Sequence, residues 1–60
     1  MRWQKKLTKK ELQHVKETTF GGTLGSFKRN REGHRAEVAA GKPEPCFECR
    51  AIAIKLGIEQ

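Results

Sequence analysis

Cys46 and Cys49, in the run Pro45-Cys46-Phe47-Glu48-Cys49, are the residues of this 60-residue sequence best suited to chemistry. Two thiolates three positions apart at the start of a helix reach one zinc ion, and the positive end of the helix favours their charge. A closed zinc site takes four ligands, and the remaining nitrogen donors are His14 and His34. On a helical wheel His34 falls on the apolar side beside Phe27 and Val38 and is expected to face inward. His14 falls about 130° from the centre of the stripe Leu12, Val15 and Thr19 and is expected to face solvent. The expected metal set is therefore Cys46, Cys49, His34 and His14, with zinc the only cofactor anticipated. A symmetric pair of chains, each giving Cys46 and Cys49 to one shared zinc, meets the same ligand count. Two further readings of the pair stay open. One is thiol redox chemistry, although the βαβ context of thioredoxin-like proteins is missing. The other is two small, half-buried thiols with no ligand at all.

The second constellation is cationic. Net charge is +6 overall. Residues 1–35 carry ten Lys and Arg against three Glu, a net +7, whereas residues 36–60 carry three against four, a net −1. Such asymmetry implies an anionic partner for the N-terminal half. Phosphate contact needs little beyond clustered cations. The expected nucleic-acid-binding residues are Arg2, Lys5, Lys6, Lys9, Lys10, Lys16, Lys28, Arg29, Arg31 and Arg35, with Trp3 available to stack on an exposed base. The same cations also serve as a solvated face, with Trp3 covering the core.

Several function classes are disfavoured. With no Asp, and with no serine, threonine or cysteine nucleophile beside a matched base, no catalytic arrangement can be assembled, so a non-enzymatic protein is expected. The run Gly21-Gly22-Thr23-Leu24-Gly25-Ser26 lacks the Gly-Lys-Ser/Thr ending of a phosphate loop and reads as a connection between helices. No apolar run approaches the roughly 20 residues that span a bilayer. A chain that opens on Met with no hydrophobic leader is expected in the reducing cytoplasm, where the cysteines are thiols or metal ligands.

Three helices must position these groups. Thr8-Lys9-Lys10-Glu11 is a capping box, and Leu7 and Leu12 are spaced as a hydrophobic staple. This predicts a first helix over 8–19, ended by Gly21 and Gly22. Thr23 caps a second helix over 23–40, whose stripe Leu24, Phe27, Arg31, His34 and Val38 keeps its phase across Gly33 at a cost of about 1 kcal/mol. Gly41 and the segment Lys42-Pro43-Glu44-Pro45 end it. The third helix, over 45–57, is apolar on two sides: Phe47, Ala51, Ile54 and Ile58 on one, Cys49, Ile52, Ala53 and Leu56 on the other. A helix of that kind is central or faces another subunit.

The expectation is therefore a single all-α domain over 1–60 with three helices and the third most buried. Residues 1–7 are expected to form a basic, flexible arm. The expected core is Leu7, Leu12, Val15, Phe20, Leu24, Phe27, Val38, Phe47, Ala51, Ile52, Ile54 and Leu56. The apolar third helix is a poor recognition helix, so any DNA contact falls to the first two helices, mainly through phosphates. Two functions fit. One is a small basic accessory factor that contacts nucleic acid through its N-terminal half. The other is a protein-binding adaptor or regulator, of a size found among phage and mobile-element proteins. That adaptor takes an acidic protein as partner or forms a homodimer through residues 45–58.

Overall fold

The structure, a computed structural model, describes residues 2–60. A 3₁₀ turn, Trp3–Lys6, precedes helices α1 (Lys9–Thr18), α2 (Leu24–Ala39) and α3 (Phe47–Lys55), with no strand among the described residues. The third helix packs on both of the others, as its two apolar sides require.

Each boundary has a local cause. Thr8 accepts from the Glu11 amide while the Glu11 carboxylate accepts from the Thr8 amide, at 3.2 and 2.8 Å, so the capping box closes as expected. Such a cap contributes about 1 kcal/mol. Thr23 accepts from the Ser26 amide and opens α2, which runs unbroken through Gly33. Gly22 joins α1 to α2 at φ +64°, and a Cβ there would meet Lys16 Cγ at 3.1 Å, so the connection is both left-handed and tight. The third helix starts two residues later than expected. Glu44 Oε2 accepts the Cys46 amide at 3.0 Å, Cys46 takes an extended conformation, and its sulfur rather than a hydroxyl caps the Cys49 amide.

The core is smaller than the expected one. Leu7, Val15, Phe27, Cys49, Ile52 and Ala53 are buried, with Trp3, Leu12, Leu56 and Ile58 packed against them. The basic N-terminal segment is not a free arm: its 3₁₀ turn folds Trp3 and Leu7 onto this core. Six expected core residues lie outside, among them Leu24, half-buried at the start of α2. Phe20 sits in the α1–α2 connection and is 94% exposed. Val38 is exposed, as are all of residues 35–43, and borders a groove that it shares with Arg50 of α3. Phe47, Ala51 and Ile54 form the outer side of α3, which no other helix covers.

Beside the apolar core lies a buried charge. Arg31 is only 1% exposed. Its guanidinium donates through Nη1 and Nη2 to both oxygens of Glu44, at 3.2 and 3.0 Å, and through Nε to Glu59 at 2.7 Å. His34 Nδ1 lies 3.1 Å from the same Nη1. The hydrogen bonds from Arg31, and then the Cys46 amide, hold the Glu44 carboxyl down at about 2. Arg31, expected among the phosphate-contacting cations, is thus a structural clamp between α2, the segment before α3 and the tail after it.

Removing one partner leaves a charge uncompensated in the interior. Glu59→Ala is expected to lower unfolding stability by on the order of 3 kcal/mol, measured by urea denaturation, whereas Lys9→Ala on the surface shifts it by under about 0.5 kcal/mol. Equal, small losses for both would show that the clamp does not hold the fold.

Candidate metal centre

Three of the four expected ligands meet. The sulfurs of Cys46 and Cys49 and the ring nitrogen of His14 all lie within 4.8 Å of one another. His14 Nε2 stands 3.1 Å from Cys49 Sγ and 3.4 Å from Cys46 Sγ. Tetrahedral zinc, with Zn–S of about 2.3 Å and Zn–N of about 2.0 Å, sets such N···S edges at about 3.6 Å. The two N···S distances fit an ion after shifts of a few tenths of an ångström.

All three helices reach this point. The buried face of α1 is centred on Val15 rather than on the Leu12–Thr19 line, so it takes in His14, which is half-buried against α3 instead of facing solvent. From the same helix Thr18 Oγ1, which donates to the His14 carbonyl at 2.8 Å, lies 4.0 Å from Cys49 Sγ. Asn30 brings α2 to the site, with Nδ2 3.9 Å from the same sulfur. From α3, Glu48 Oε2 faces His14 Nδ1 at 3.4 Å. An ion on Nε2 leaves the ring proton on Nδ1, where this carboxylate accepts it and orients the ring.

His34 is not part of the group. It belongs to the Arg31 clamp, its Nδ1 beside the guanidinium. The wheel placed its side of α2 correctly toward the interior, but that side meets Glu44 and Glu59 rather than the cysteines.

Ionising both sulfurs without a counter-charge is costly here. Cys49 is fully buried. Burial, and then the adjacent Cys46 sulfur, push its thiol up to about 12. A divalent ion reverses that balance by meeting both sulfurs with positive charge. The neighbours of the pair on the other helices are the His14 imidazole, which stands against both sulfurs, the Thr18 hydroxyl and the Asn30 amide, so the fold does set a base beside a thiol where the sequence offered no such pair.

Comparison with protein-family models, with characterised proteins and with solved structures returns no match. The functional reading therefore rests on the chain's own geometry.

The basic residues are distributed differently from the metal group. Arg2, Lys5, Lys6, Lys9, Lys10, Lys16, Lys28, Arg29 and Arg35 are exposed. Arg2, Lys6 and Lys28 border one cleft together with Trp3. Arg29 borders a groove beside Phe20, and Arg35 another beside Val38 and Arg50, so the cations line several surfaces. Sequence reasoning missed Glu48, Thr18 and Asn30 around the cysteines and Glu44 and Glu59 around Arg31. Glu48 carried one signal, its place between the two cysteines.

Proposed function

We propose that the chain is a small, zinc-stapled helical domain that binds nucleic acid through the basic surface of its N-terminal half. The observation that carries the metal is the convergence of Cys46, Cys49 and His14. Two soft thiolates and an imidazole select zinc among the common cytosolic cations. Its role is structural. A chain of this length buries only about 60% of its unfolded surface and gains from any ligand that binds the folded state alone. Here the ion ties α1 to α3, and a water or a donor from another molecule completes the four ligands.

The nucleic-acid reading rests on charge that the fold leaves unspent. Among the described residues the ion pairs are His14–Glu48, Lys55–Glu11 and the two of Arg31. None involves Lys5, Lys6, Lys9, Lys10, Lys16, Lys28 or Arg29, all of them exposed. Free surface cations bind polyphosphate by releasing its counterions, and Arg2, Lys6 and Lys28 meet at one cleft.

A second reading is favoured by one feature, the bare side of α3. Phe47 is 70% exposed, and Ala51 and Ile54 continue its line at helical spacing. That stripe supports a homodimer through residues 45–58.

Native mass spectrometry of the reduced chain is expected to give a monomer carrying one zinc that a chelator removes. His14→Ala should abolish retention of the ion and His34→Ala should not. One zinc per dimer, with His14→Ala still loaded, would instead assign the ion to two pairs of cysteines. Labelled DNA or RNA should bind at low salt with log K falling linearly against log salt, and replacing Lys5, Lys9 and Lys10 by Glu should reduce that slope by about 3. Absence of binding at low salt defeats the nucleic-acid reading. If the α3 stripe joins two chains, sedimentation equilibrium will show a concentration-dependent dimer that Phe47→Glu dissolves. A monomer at every concentration removes this second reading.

A further inference from the structure

The cleft bordered by Arg2, Trp3, Lys6 and Lys28 has a volume of about 380 Å³. That is the scale of a pocket for one small ligand. Leu24, Leu56 and Ile58 give it apolar lining, and among the described residues that line it none is acidic. Trp3 is half-buried and packs against the core while also lining the cleft. Its indole is thus an anchored plate that loses little freedom when a second ring lies on it. Leu24 is the first residue of the 16-residue α2, so the positive end of that helix adds to the field of the three cations.

We propose that this cleft receives one unpaired base of a single-stranded nucleic acid, stacked on Trp3, with the neighbouring phosphates held by Arg2, Lys6 and Lys28. The proposal rests on the nucleic-acid reading above and gives it a place and a strand preference. An apolar lining beside an aromatic plate suits a flat heteroaromatic ring, and cations at the rim suit the phosphates that such a ring carries in a nucleotide. Carboxylates alone would match the rim but leave the apolar lining and the plate unused. A duplex keeps its bases paired and stacked inside, so it meets the cations without filling the cleft. Base stacking tolerates sequence because every base has a flat face, so the site is indifferent to which base enters.

Trp3 is the sole tryptophan, so its fluorescence reports on the cleft without any substitution. Titration of the full chain at low salt uses four probes: a short oligothymidylate, a duplex of equal length, thymidine monophosphate and polyglutamate. Oligothymidylate is expected to quench Trp3, and the duplex to bind, by anisotropy of a label, without quenching it. Trp3→Ala should weaken oligothymidylate binding about five- to a hundredfold and leave duplex binding unchanged, and Trp3→Phe should recover part of the loss. Should Trp3→Ala fail to fold by circular dichroism, quenching of the unmodified chain and its weakening by Lys28→Ala carry the test. Binding of labelled oligothymidylate without quenching overturns the cleft and leaves the wider reading standing. Failure of every nucleic acid to bind overturns both. Thymidine monophosphate as tight as the oligomer, or equal quenching by polyglutamate, overturns the strand assignment.

Discussion

The guanidinium of Arg31 is the group on which the arrangement of this chain depends. It is fully charged, almost wholly buried, and satisfied on three sides by Glu44, Glu59 and the His34 ring. Glu44 precedes α3 and Glu59 follows it, so the clamp grips the third helix at both ends from a single position on α2. Glu44 in turn takes the Cys46 amide, which places the cap of α3 and with it the first sulfur of the metal group. A buried ion pair of this kind adds little net stability over an apolar contact, because desolvation offsets most of the attraction. What it contributes is direction: Glu44 accepts two parallel bonds from one fork, and a rotated or shifted α3 would leave a charge without its partner.

The helix boundaries were legible from local chemistry, since caps and glycines act over three or four residues. The Thr8 box, the Thr23 cap and the terminating Gly41 and Gly57 all stand where the pattern put them. Legibility failed where the answer depended on what stands opposite. Val38 keeps the phase of its helix, yet it stays exposed on a groove that it shares with Arg50 of α3. Phe47, Ala51 and Ile54 satisfy every rule for a core stripe and find no helix opposite. An apolar stripe says which side of a helix seeks cover, and only the other elements decide whether cover arrives.

The metal group shows the same limit from another direction. The spacing of Cys46 and Cys49 identified the pair, and the histidines were the natural complement. The choice between the two histidines turned on rotating α1 so that Val15 became the centre of its buried face. A wheel drawn from Leu12, Val15 and Thr19 weights three residues equally. In the fold Thr19 instead closes the helix, with its hydroxyl on the Val15 carbonyl. Shifting the face to Val15 brings Glu11 and His14 toward α3. Both then find partners there, Glu11 in Lys55 and His14 in the sulfurs and Glu48. Arg31 was misread for a related reason. A cation at an inward position is rare unless carboxylates await it, and those carboxylates lie 13 and 28 residues away in sequence.

The two chemical ends of the molecule divide the work that a small chain must do. Stabilising contacts with exacting geometry, the Arg31 clamp and the His14–cysteine group, both converge on α3 and consume the inward-facing ionisable residues. The cations of the 3₁₀ turn and the front of α2 are left without carboxylate partners, and their mutual repulsion costs stability. Anchoring them on a packed core lets that repulsion persist in the folded state. Trp3 is the residue common to both halves: it packs against the core and also lines the cleft that Arg2, Lys6 and Lys28 border. An anion of the proposed kind would meet a surface already ordered by the core, and its affinity would not be spent on folding the N-terminal segment.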